Sequence, residues 1–144
     1  MFTFENSIFI NCPQQEVFDY VSNPANSHRF QSGTVSAEWI SKGPPGVGST
    51  HRSVTRSMGR DIESTVEYIA WVPPSQFSWR VVSGPIPAEG TSRFESENGG
   101  TKYTMSGKIE VGGVFKLAEG LVKKQLQKQH EADLSVLKQL LEEG

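Results

Sequence analysis

Apolar and polar residues alternate at the start of the chain. Phe2, Phe4, Ile8 and Ile10 share one parity, which predicts a strand with one buried face. Pro13 then opens a stretch in which Val17, Phe18 and Val21 recur at helical spacing. Proline suits a first helical turn, where its missing N–H would have been unpaired anyway. Asn23 before Pro24 reads as a cap, and residues 24–30 as a second short helix.

From residue 35 to 111 the period becomes two. Val35, Ala37 and Trp39 alternate, and Gly43, Pro44, Pro45 and Gly46 make a turn. A strand over 49–56 is turned by Met58, Gly59 and Arg60. Ile62, Val66, Tyr68 and Ala70 are expected on one face. Pro73 and Pro74 turn the chain before Phe77, Trp79 and Val81. Ser92, Phe94 and Ser96 oppose Arg93, Glu95 and Glu97. Asn98-Gly99-Gly100 is a hairpin signal, because these residues accept positive φ. Tyr103, Met105, Ile109 and Val111 then face inward. Turns about every ten residues predict an antiparallel meander rather than βαβ units.

Residues 112–113 end the sheet. The last stretch, 114–142, lacks proline and carries Leu117, Leu121, Val122, Leu126, Ala132, Val136, Leu137 and Leu140 as an expected apolar stripe. A helix of about 28 residues is near 40 Å long and needs a large partner surface. The sheet is the available one. The expected fold is therefore α+β: about seven antiparallel strands, two short helices after the first, wrapped around a long C-terminal helix. With no linker and no internal repeat, residues 1–144 form one expected domain.

Composition narrows the function classes. The net charge is −2, from 14 Lys+Arg against 16 Asp+Glu, so there is no basic surplus for phosphates and no nucleic-acid partner is expected. Cys12 is the single cysteine, which fits a reducing compartment. No run approaches 18 apolar residues, so no membrane span is expected. The N-terminal segment has no basic n-region, and a cytoplasmic location is expected.

The order of these segments carries a resemblance. PQQEVFDYVSNPANSHRF (13–30), GPPGVGS (43–49), YIAWVPPSQFSWR (68–80) with SGP after it, ENGGTKYTMSGKIE (97–110) and HEADLSVLKQLLEEG (130–144) follow one another along essentially the whole chain. Together they resemble the polyketide cyclase/dehydrase and lipid-transport superfamily, the helix-grip fold shared with the birch-pollen allergen and START domains. The resemblance implies a hydrophobic cavity between sheet and last helix. It does not choose among carriers, ring cyclases and co-chaperone-like modules. Phe30 stands where many relatives have Trp, and His51 where they carry an aromatic or aliphatic residue.

His28, His51 and His130 are dispersed, and no paired metal-ligand motif occurs, so neither a metal nor another cofactor is expected. The GPPGVG turn has two prolines where a phosphate loop needs N–H donors. Cys12, at a strand–helix junction, reads as a small buried filler. His51 and Arg52 are adjacent on a strand, so only one faces the cavity. The resemblance places His51 there, whereas parity counted from Val54 places Arg52. A cavity imidazole would suit a general base for ring closure or dehydration, with Tyr68 or Tyr103 donating a hydrogen bond. Trp39, Tyr68, Trp79, Phe94, Tyr103 and Met105 are the candidates for an apolar cavity wall, each with ordinary core packing as its alternative. Gln125 and Gln129, four apart beside the stripe, read either as meeting a ligand's polar atom or as a stripe edge that faces solvent. Arg80 is expected to point outward. The leading expectation is a binder or carrier of a small hydrophobic molecule. The alternatives are a polyketide cyclase or dehydratase with a His51 base, and a protein-interaction module.

Overall fold

The computed structural model describes residues 2–57, 59–110 and 119–143. Met58, Val111, the sheet end at residues 112–113 and the first part of the tail helix, with Leu117, lie outside them, as does the side chain of Val122. Strand β1 (Phe2–Ile10) leads into helix α1 (Gln14–Val21), a 3-10 turn (Pro24–Asn26) and helix α2 (Ser27–Phe30). Six strands follow: β2 (Thr34–Trp39), β3 (Thr50–Ser57), β4 (Arg60–Val72), β5 (Gln76–Ser83), β6 (Ala88–Glu97) and β7 (Gly100–Ile109). Helix α3 (Glu119–Glu143) ends the chain.

The strands form one antiparallel sheet in the order β1-β7-β6-β5-β4-β3-β2, curled as a half-barrel. With its long C-terminal helix this is the expected helix-grip fold. Local chemistry matches the elements. Pro13 stands at the N-cap position of α1, one residue before the helix and without a capping hydrogen bond, and Asn23 Oδ1 accepts the Ala25 amide at 3.1 Å. Asn98 (φ 49°) and Gly99 (φ 81°) make the two-residue β6–β7 turn, whose backbone needs residues tolerant of positive φ.

The register defines rows of side chains across the concave face. One row runs Tyr68, Trp79, Gly90, Gly107, Phe4; another runs Phe77, Ser92, Met105, Asn6. Two expectations from simple alternation fail at irregularities. Register shifts between Thr34 and Ser36, and Val35 is left 42% exposed while Ala37 and Trp39 stay inside. A second shift between Tyr68 and Ala70 replaces Ala70 on the inner face by Trp71, which stacks on Tyr68. An extra residue in a ladder reverses the parity beyond it.

Helix α1 seals one half of the concave face. Val17, Phe18 and Val21 are buried, and Phe18 meets Trp71, Phe77 and Phe94 edge-on. Helix α3 seals along β1. Its inward face is Leu126, His130, Leu134, Leu137 and Leu141, not the full stripe expected from sequence. Leu134 and Leu137 are fully sequestered, whereas Leu121, Val136 and Leu140 are 62, 40 and 39% exposed. The physical reason is that two polar residues, His130 and Asp133, lie on the inner side and find partners there. Asp133 accepts the Ser32 amide at 3.1 Å. His130 Nδ1 accepts from Asn6 Nδ2 at 3.3 Å, and Gln127 donates to Asn6 Oδ1. Farther along the seam, Lys138 Nζ donates to the Phe9 carbonyl and the Asn11 amide to Glu142, both at 2.8 Å. Cys12 is half-buried there; its thiol donates to the Leu141 carbonyl at 3.1 Å, and burial raises its pKa. That environment disfavours thiolate chemistry.

Candidate functional site

Strand β3 places His51 on the concave face and Arg52 on the convex one. His51 pairs with Trp39 of β2 and Val66 of β4, both inner-face residues. Arg52 forks onto Glu63 with contacts of 2.7 and 3.1 Å and reaches Glu38 at 3.3 Å, all on the exposed side. Val54 shares that convex face as a half-buried residue, which is why parity counted from it points the wrong way.

Trp39, His51 and Tyr68 form a triangle of edge-on rings, with centroids 5.6 to 6.1 Å apart. The imidazole meets no polar group at one end: His51 Nδ1 is buried without a hydrogen-bond partner. Burial lowers the His51 pKa to about 4, so the ring is neutral at physiological pH. An unpaired buried nitrogen costs free energy unless something arrives to satisfy it.

From this triangle an aromatic band crosses the sheet. Tyr68 stacks on Trp71, Phe77 on Phe94, and Phe94 on Tyr103 with centroids 5.1 Å apart. The band is not uniformly available. Phe94 and Tyr103 are 1 and 3% exposed and serve as core under α1. Trp39, Trp79 and Met105 are half-buried. Trp71, Phe77 and Phe18 complete the band, beyond the residues expected there from sequence. Phe77 was legible by alternation, whereas Trp71 was hidden by the bulge.

The floor of the face is set by two glycines. A Cβ on Gly90 would come within 2.7 Å of the Trp79 indole, and one on Gly107 within 2.8 Å of the Phe4 ring. The bare backbone lets both rings lie flat on the sheet.

Both tyrosine hydroxyls are committed. Tyr68 Oη donates to the Ser22 carbonyl at 2.7 Å, and burial raises its pKa well above the usual phenol range. Tyr103 Oη and Ser92 Oγ share a buried hydrogen bond of 3.0 Å, and burial pushes the phenol pKa up to about 12.

The two glutamines do not join the aromatic wall. Gln125 and Gln129 lie on the exposed side of α3; the Gln129 amide sits over Gly33. Gln127 is the glutamine that reaches the sheet, through Asn6. Arg80 points outward, 3.8 Å from Glu67. Two open grooves lie elsewhere, one of about 160 Å³ lined by Arg80, Pro87 and Lys108 among others, the other of about 390 Å³ between Tyr20 and Leu140. Neither includes His51 or Trp39, so the chemistry directs attention to the concave face. Among the described residues, no cluster of three His, Cys, Asp or Glu is placed to hold a metal ion, and no helix is long and apolar enough to cross a membrane.

Comparison with known proteins agrees with this geometry. The profile of a family described as polyketide cyclase / dehydrase and lipid transport matches residues 1–142. A search of curated proteins finds no match. Among solved structures, the chain is similar to protein TTHA0849 of Thermus thermophilus, with a TM-score of 0.81 and 21% identity over 95% of this chain and 94% of that one. It is also similar to the Zhui aromatase/cyclase of Streptomyces sp. R1128, with a TM-score of 0.75 and 14% identity over 98 and 93%. The di-domain aromatase/cyclase BexL of the BE-7585A biosynthetic pathway gives 0.76 and 19%, over 98% of this chain and 50% of that one. At these identities the likeness concerns the fold.

Proposed function

The chain belongs to the polyketide cyclase/dehydrase and lipid transport family, and from that premise we propose that it binds and carries a small hydrophobic molecule on the concave face of its sheet. The observation that carries this reading is the half-buried group at the β2–β5 end. Trp39, His51 and Trp79 keep part of their surface unburied beside the sealed Phe18–Phe94–Tyr103 core. Aromatic side chains left partly open on a concave surface are the usual lining of a small-molecule site.

The cyclase or dehydratase reading has less support. A neutral His51 suits a general base. The donors expected beside it are the Tyr68 and Tyr103 hydroxyls, and these are engaged by Ser22 and Ser92. Catalysis would require breaking one of those buried bonds. In this reading the protein works without a cofactor, and its partner is the small molecule itself.

Titration with Nile red, an uncharged dye that brightens in apolar surroundings, tests the proposal. Saturable brightening by the native protein is expected, with a dissociation constant raised at least fivefold in Trp39→Ala. If native protein gives no saturable signal, and native mass spectrometry shows no retained small molecule, the carrier reading fails.

A further inference from the structure

The charged residues of the sheet are sorted by face. Arg52, Arg56, Arg80, Arg93, Lys102 and Lys108 all take the convex parity in the strand registers. So do Glu5, Glu38, Asp61, Glu63, Glu67, Glu89, Glu95 and Glu97. Within the described strands, Arg60 alone shares the concave parity. It is exposed at the tip of the β3–β4 hairpin. Val66, the cross-strand partner of His51, lies six positions farther along β4, or about 20 Å of strand.

Among the described side chains of α3, the inward groups add no free charge over the sheet. His130 is held by Asn6, and burial lowers its pKa. Asp133 is turned to the Ser32 amide, with its pKa raised by burial. What the concave face does offer is hydrogen bonding without charge. His51 Nδ1 is buried and unpaired, so a ligand oxygen reaches it by displacing a neighbouring side chain, and Ser53 and Ser64 pair across the next inner row of β3 and β4 as half-buried side chains.

Resting on the carrier reading above, we infer that the cargo is an uncharged aromatic or polycyclic molecule whose hydroxyl or carbonyl oxygen is directed at His51, and that carboxylates and phosphate esters are rejected. Desolvation sets this preference. An anion entering this face would leave water without meeting a cation among the described side chains. A hydroxyl entering it would instead satisfy the orphaned imidazole nitrogen, since a neutral imidazole presents either a donor or an acceptor there. The rings of Trp39, Tyr68 and Trp79 supply flat surface for the body of the molecule. Free fatty acids and phospholipids fall outside this class. Neutral phenols, fused-ring alcohols and ketones fall within it.

Matched ligands that differ in charge decide the matter. Isothermal titration calorimetry of the full chain at pH 7.5 would compare 2-naphthol with 2-naphthoate, and 1-dodecanol with dodecanoate. The alkyl pair lets a long anion reach Arg60 if that residue serves as an anchor. We expect the neutral member of each pair to bind at least tenfold more tightly. We also expect the ¹⁵N signals of His51 to move with 2-naphthol. In His51→Phe, affinity for 2-naphthol should fall at least fivefold. Equal or tighter binding of either anion overturns the inference while Nile red uptake leaves the carrier reading standing. So does an unmoved His51 resonance at saturation with 2-naphthol. Failure of Nile red and of all four probes overturns both.

Discussion

The Tyr68 hydroxyl donates to the backbone carbonyl of Ser22 at 2.7 Å, joining the centre of β4 to the residue that caps the end of α1. Both groups are buried, and the bond spans 46 positions of sequence. It fixes how α1 sits over the sheet and therefore which part of the concave face stays open.

Tyr68→Phe should therefore destabilise the fold, because the Ser22 carbonyl would be left without its partner in a dry place. The expected loss is about 1–3 kcal/mol in urea unfolding at pH 7. A variant as stable as the parent would mean that water reaches the Ser22 carbonyl and that α1 does not seal this region.

Gly90→Ala should displace Trp79. The added methyl meets the indole at 2.7 Å, closer than real side chains approach, and the ring is too rigid to yield without rotating. A stability loss of about 1–3 kcal/mol is expected, together with a changed near-ultraviolet tryptophan signal. An unchanged signal would show that the indole does not lie on the glycine.

The corrected helix face separates two leucines. Leu137→Ala removes a side chain with no exposure and should cost about 2–5 kcal/mol. Leu121→Ala, at 62% exposure, should stay within about 0.5 kcal/mol of the parent. Thermal melts that do not rank them this way would reject the packing of α3.

Acid should weaken the protein through His51. Its pKa is about 4 in the fold against an ordinary value of 6.5, so the folded state binds fewer protons between these values. Stability is then full above pH 6.5 and falls as pH drops toward 4, by roughly 2 kcal/mol between pH 7 and 5. His130, also lowered by burial, acts in the same direction, whereas Asp133, raised by burial, opposes it at lower pH. Urea titrations at pH 7 and 5 should show a clearly smaller difference in His51→Phe than in the parent. Equal differences would place His51 in water.

Much of the fold was legible because side-chain period reports burial directly. The parity of Phe2, Phe4, Ile8 and Ile10, the spacing of Val17, Phe18 and Val21, and the Asn98-Gly99 turn all match the structure. Misplacements occur where polar residues are buried by virtue of a distant partner, or where a bulge resets the count. Asp133 and His130 look like surface residues until Ser32 and Asn6 are brought to them. Ala70 and Trp71 exchange roles at an irregularity that no local pattern announces. At the candidate site the aromatic residue types were visible in sequence. Their availability was not, because whether Phe94 lines a space or fills one depends on where α1 lands. Gln125 and Gln129 were singled out for their spacing, but the helix is rotated so that Gln127 reaches the sheet instead.

The seam between β1 and α3 also bears on how the protein is made. Lys138 donates to the carbonyl of Phe9, 129 positions away, and Phe2 pairs with Ile109 in the ladder. Contacts so distant in sequence close slowly, because loop entropy is lost before they form. During synthesis the strands β2 to β7 would emerge well before the leucines of α3 that cover β1. The nascent sheet therefore carries an open apolar face until α3 has been made, and it is in this interval that the chain is most exposed to aggregation.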